Sequence, residues 1–115
     1  MGQAKEELLK IMPALNSARK ARDMMKVFTR NIRFDLTGEE KPFSLEVANG
    51  QMKVTEDTRG DADIIVTGDA KEFAKVISAG VDVTHPIAFG HIVITKGRVS
   101  EMTLLNRILW ATRGT

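Results

Sequence analysis

The apolar positions of this 115-residue chain change period along its length, and each change marks an element. From Ala4 to Phe28 they recur at Leu8, Ile11, Met12, Leu15, Ala18, Met25 and Phe28, close to the roughly 3.6-residue period of an amphipathic helix. Pro13 falls inside this pattern and disfavours the helical conformation at Met12. Two helices are therefore predicted, or one sharply kinked, with the second reaching about Arg30. The period then becomes two. Ile32, Phe34 and Leu36 alternate with Arg33 and Asp35, and Phe43, Leu45 and Val47 alternate with Ser44 and Glu46. Two half-buried strands follow from this, joined by a polar turn across Gly38 to Pro42. Asn49-Gly50 comes next and is a strong hairpin signal, because both central residues of a type I′ turn need positive φ. Met52 and Val54 carry the apolar face into a third strand. After the polar stretch Glu56 to Asp61, Ala62 to Thr67 reads as a fourth, and the four most simply form an antiparallel meander with one face buried.

Helical spacing returns at Asp69, an N-cap with Glu72 placed as its capping-box partner. The helix it opens puts Phe73, Val76 and Ile77 on one face and stops at Gly80. Thr84 is expected to cap a short helix with Pro86, Ile87 and Phe89, ended by Gly90. His91 to Thr95 is β-branched and apolar, hence a fifth strand. Ser100 then caps a final helix that aligns Leu104, Leu105, Ile108 and Leu109, with Trp110 beside them. These elements predict an α+β fold, a five-stranded and mainly antiparallel sheet with helices packed on one face. Residues 1–30 form a helical segment packing on the α+β domain of residues 31–115, as one structural unit.

Composition narrows the function classes. With 43% hydrophobic and 28% charged residues the chain is an ordinary globular one and too apolar to be disordered. The absence of cysteine removes disulfides, thiolate nucleophiles and Cys-based metal sites, and it fits a reducing compartment. No apolar run approaches the roughly 20 residues that span a bilayer. The first ten residues are charged and lack the apolar core of a secretory signal, so a cytoplasmic protein is expected. A net charge of +2 is too mild to imply nucleic acid, but basic residues dominate up to Arg33 and acidic ones from Asp35 to Glu72. The basic helical face of Arg19, Lys20, Arg22 and Lys26 reads first as solvated surface. Second comes transient attraction to an anionic membrane surface, at roughly 1 kcal/mol per residue near the head groups. Nucleic acid is a distant third, since no recognition motif is present, there is no Tyr, and one Trp offers little for stacking.

The residue types that carry chemistry are sparse. His85 and His91 have no flanking ligands at metal-binding spacing. Gly60, Gly68 and Gly80 are too widely spaced for a phosphate loop, and no Gly-x-Ser-x-Gly elbow exists. Ser44, Ser78 and Ser100 each sit where a strand surface or a cap accounts for them. Asp61, Asp63 and Asp69 lie too far apart for a calcium loop. No catalytic residue, metal or cofactor is expected, and the chain does not read as an enzyme. Met12, Met24, Met25, Met52 and Met102 give a soft interior, as core filler first and as pocket lining second.

The order and spacing of several runs resemble the sterol carrier protein type 2 domain. They are Ala62-Asp-Ile-Ile-Val-Thr-Gly-Asp-Ala-Lys-Glu-Phe73, Val76-Ile-Ser-Ala-Gly80 and Ile87-Ala-Phe-Gly-His-Ile-Val-Ile-Thr-Lys-Gly97. Ile32-Arg-Phe-Asp-Leu-Thr-Gly38 and Leu45-Glu-Val-Ala-Asn-Gly50 match the family's first strands, so the resemblance covers roughly Asn31 to Trp110. His91 stands where the family often has Lys or Arg, and Arg98 and Val99 replace a small or acidic turn. The chain ends Arg113-Gly-Thr115 without a Ser-Lys-Leu address, so the peroxisomal setting of eukaryotic relatives is not carried over. The resemblance implies non-enzymatic binding or carriage of a fatty acid, acyl-CoA, sterol or isoprenoid lipid in an apolar tunnel between sheet and helices. On that analogy the tunnel is lined by Phe73, Val76, Ile77, Ile87, Phe89, Leu105, Ile108 and Leu109. A C16 chain offers about 12 kcal/mol gross at about 0.8 kcal/mol per buried CH₂. Lost freedom removes a large part of it, which leaves micromolar binding as the expectation. The alternative is an accessory protein-interaction module that presents hydrophobic substrates to a partner enzyme. Monomer and homodimer both fit the sequence.

Overall fold

The computed structural model describes residues 3–56 and 61–111, and side chains from Ala4 onward. The chain runs α1 (Gln3–Ser17), α2 (Arg19–Lys26), β1 (Arg30–Thr37), β2 (Phe43–Ala48), β3 (Gln51–Thr55), β4 (Ile64–Asp69), α3 (Ala70–Ser78), α4 (Thr84–Ala88), β5 (Ile92–Lys96) and α5 (Val99–Leu109). The five strands form one mixed sheet in the order β3-β2-β1-β4-β5. The α+β architecture and the mostly antiparallel sheet agree with the sequence. The expected meander does not. β4 skips β3 and joins the far side of β1 in parallel, with Ile32 opposite Ile64 and Phe34 opposite Val66. Either neighbour would have left Ile64 and Val66 on the apolar face, so alternation alone cannot choose between them.

Register puts most large strand hydrophobes on the helix side, with Ile65 and Val93 on the other. Phe34, Phe43, Leu45, Ile64, Val66 and Ile92 are buried on the helix side, and Phe34 sits between Phe43 and Phe73 with ring centroids 5.0 and 4.9 Å away. The opposite face is otherwise polar, with Arg33 paired to Asp35 at 3.1 Å. Asn49 and Gly50 turn the β2–β3 hairpin at φ 55° and 75°, as the type I′ expectation required.

The helix boundaries bring corrections. α1 continues through Pro13, and the break falls at Ala18, whose ψ of 126° is extended. Pro13 and Leu9 share the exposed side of α1, so the Leu9 carbonyl that loses its donor can turn to water. Asp69 caps α3 by accepting from the Lys71 amide at 2.9 Å, while Glu72 turns to Lys75 instead of closing a capping box. At α4, Asp82 and not Thr84 does the capping. Its Oδ1 accepts from the Thr84 amide and hydroxyl at 2.9 and 2.7 Å. α5 begins before Ser100, and Glu101 reaches back to accept from the Arg98 amide at 3.1 Å.

Two long-range contacts anchor α1. Glu39 Oε2 accepts from the Ala4 amide at 3.0 Å, satisfying a first-turn donor from a turn far along the chain. Asn16 accepts from the Met52 amide at 2.8 Å and donates to the Met52 carbonyl at 3.0 Å. The Asn16 amide thereby behaves as one residue of a neighbouring strand on the outer edge of β3.

Candidate functional site

The apolar layer between sheet and helices is where the sequence located its lining residues. Phe73, Val76 and Ile77 of α3 and Leu105, Ile108 and Leu109 of α5 are buried in one continuous core. Ile87 of α4 is half-buried against that core. Phe89 is elsewhere. It is 72% exposed, past the end of α4, with the rings of His85 and His91 at 5.9 and 6.4 Å. Leu104, aligned with the core by spacing, is 43% exposed on the outer side of α5. Met25, Met52 and Met102 are buried in the same core.

Polar pins hold α5 over this layer. Trp110 Nε1 donates to the Val76 carbonyl at 2.7 Å and fastens the end of α5 to α3. The buried Asn106 Oδ1 accepts from the Val83 amide at 2.9 Å, fixing the entry to α4. Arg30 Nε meets Glu101 Oε2 at 2.7 Å, with the guanidinium also 5.6 Å above the Phe28 ring. The hydrogen bond from Arg30, aided by the Arg98 amide, holds the Glu101 carboxyl below its ordinary range, with desolvation opposing the shift. The Asp82 carboxyl is lowered as well, chiefly by its bonds to Thr84. None of these pins was legible as function. Asn106 and Trp110 are single polar atoms inside an apolar stripe, and only their spatial partners give them a role.

Other surfaces offer less chemistry. A cleft of about 460 Å³ opens between the start of α1 and the β1–β2 turn, walled by Lys5, Glu39, Glu40, Lys41 and Glu56. It is charged on both signs and holds none of the lining candidates. Among the described residues, no group of three or more His, Asp or Glu side chains could hold a metal ion. Nor is any helix among them long and apolar enough to cross a membrane. Arg19, Lys20, Arg22 and Lys26 are all exposed on α2, and Val27 directly after it is 87% exposed.

Residues 8–107 match the SCP-2 sterol transfer family. No curated protein matches the sequence. Solved structures with the same architecture include the UbiJ-SCP2 ubiquinone synthesis protein, 18% identical over 88% of this chain and 86% of that one, with a TM-score of 0.68. Sterol carrier protein 2 of Yarrowia lipolytica, in its apo form, is 20% identical over 91% and 88%, with a TM-score of 0.66. Sterol carrier protein domain 2 of Helicoverpa armigera is 19% identical over 95% and 92%, with a TM-score of 0.67. Identities this low establish a shared fold and leave the ligand to be argued separately.

Proposed function

The chain belongs to the SCP-2 sterol transfer family, and from that premise we propose that it binds and carries an apolar lipid between its sheet and helices without converting it. The observation that carries the reading is the extent of the match. Residues 8–107 take in the whole sheet, α3, α4 and most of α5, so both walls of the apolar layer belong to the matched region. The ligand classes that suit such a layer are fatty acids, acyl-CoAs, sterols and isoprenoid lipids. Phe73, Val76, Ile77, Ile87, Leu105, Ile108 and Leu109 are the contacts we assign to it. Because those side chains already touch one another, uptake means parting α5 from α3 and exchanging side-chain contacts for contacts with the lipid. The buried methionines favour this, since their unbranched side chains repack at low cost. Such exchange also keeps affinity in the micromolar range, because burial is traded and not newly gained.

Titration of delipidated protein with a fluorescent fatty acid is expected to saturate at one ligand per chain and to reverse with unlabelled lipid. No binding across all four lipid classes overturns the proposal. Mass spectrometry of the native protein then names the class that co-purifies.

The exposed basic residues of α2 support a second element of the reading, transient contact with anionic bilayers during loading. Vesicles containing phosphatidylserine are expected to retain more protein than pure phosphatidylcholine vesicles, with the difference lost in high salt. Equal retention removes this element. The architectural likeness to the UbiJ-SCP2 ubiquinone synthesis protein favours one further reading, an accessory module that offers a hydrophobic substrate to an enzyme in the cytoplasm.

A further inference from the structure

β5 is the outermost strand on its side of the sheet and pairs only with β4. Its register sets Thr67 opposite Val93, and the Asp69 amide donates to the His91 carbonyl at 3.0 Å. In an antiparallel ladder alternate residues turn their peptide groups to the partner. His91 and Val93 therefore face β4, and the N–H and C=O groups of Ile92 and Ile94 face outward. Among the described residues, no hydrogen bond outside the β4–β5 ladder reaches these groups. The irregularity in the ladder, where Ile65 pairs with Lys96, lies beyond Ile94 and leaves this stretch regular.

The side chains around this open edge point to what it would accept. Val93 is 47% exposed on the polar face of the sheet, Phe89 stands exposed just before the strand, and Ile94 is half-buried on the helix side. Beyond them Lys96 and Arg98 are exposed, and neither forms an ion pair with a described residue. The nearby carboxylates are engaged: Asp63 with the Asn31 amide, Asp69 with the Lys71 amide, Asp82 with Thr84 and Glu101 with Arg30. The edge is apolar along its length and carries two exposed cations at its end.

We infer that the β5 edge is a strand-acceptor site for an extended segment of a partner protein, aliphatic at alternate positions and acidic toward one end. Main-chain bonds to Ile92 and Ile94 would supply affinity, and Lys96 and Arg98 would set register and select the acidic partner. The outward peptide groups lie at the rim of the sheet, and their pairing does not rest on lipid binding.

The test uses a fluorescein-labelled peptide of alternating valine and glutamate, with a valine–lysine peptide as its counterpart, read by fluorescence anisotropy and amide chemical shifts. The valine–glutamate peptide is expected to bind saturably and to move the Ile92, Val93 and Ile94 amides. Ile94→Pro removes an outward donor without touching the β4 ladder, as edge prolines do, and should weaken binding about five- to tenfold. Should that variant fail to fold, Lys96→Glu combined with Arg98→Glu tests the same surface through exposed residues alone and should weaken binding about tenfold. Equal binding of both peptides, no binding, or unchanged affinity in the charge-reversed protein overturns the inference. Concentration-dependent dimerisation that moves the same amides and excludes the peptide overturns it too, by making a second copy the occupant.

Discussion

The two edges of the sheet are strands of the same length, five residues each, and they are finished in different ways. At β3, Asn16 of α1 takes both the amide and the carbonyl of Met52. At β5, the outward peptide groups of Ile92 and Ile94 meet no described partner. Strand length and the absence of proline are shared by the two strands, so neither accounts for the contrast. What differs is the neighbour. α1 lies along β3 and contributes one amide side chain at strand geometry, which blunts an edge without a further strand. α4 is the helix next to β5, and it turns away after a little more than one turn. At Met52 the β3 edge is closed by a single side chain from a different element.

Substitutions break or sharpen that contrast, in descending order of effect. Gly68→Ala should be the most damaging. At φ +144° its Cβ would stand 2.3 Å from the His91 carbonyl oxygen and 2.8 Å from Ile92 Cα, both backbone atoms that cannot yield without moving β5. A loss on the order of 3 kcal/mol or more is expected in urea unfolding, with β5 released first. Asn16→Ala should cost about 2 kcal/mol by orphaning both Met52 groups, and it should make the Met52 amide exchange as an open edge does. Unchanged exchange at Met52 would remove the contrast from the β3 side.

Glu101→Gln leaves the outward peptide groups of both edges in place and should cost about 1 kcal/mol at neutral pH, discounted because Arg30 is partly exposed. Its sign with pH is fixed by a lowered folded pKa. The contribution is complete above the ordinary carboxylate value of 4.5 and fades as pH falls through the lower folded value. The glutamine variant should therefore lose part of the acid sensitivity of the wild type. Phe89→Asp is the smallest change, within about 0.5 kcal/mol of stability and about twofold in lipid affinity, because the ring lies outside the apolar layer. A large loss of lipid binding would return Phe89 to the ligand site.

Legibility in the sequence followed the range of the interaction. Alternation located the first three strands, β-branched apolar runs the last two, and Asn49-Gly50 fixed one hairpin, because these signals are local. The parallel docking of β4 was hidden, since Ile64 and Val66 face the same core whichever strand they join. Pro13 was read as a break because its ring removes a donor, but on an exposed face that loss is made good by water. By sequence Asn16 is one more polar position on an amphipathic helix. Its role depends on Met52, 36 residues away. The core of α3 and α5 was readable as apolar spacing, whereas Phe89, with the same apolar character, lies at the surface because α4 ends just before it.

Residue-resolved hydrogen exchange tests the unequal edges most directly. Both amides sit on outermost strands, so strand position alone gives them the same exposure. The Met52 amide, held by Asn16, is expected to exchange far more slowly than the Ile94 amide, and Asn16→Ala should bring the two rates together. Equal protection of Met52 and Ile94 in the wild-type protein would contradict the account.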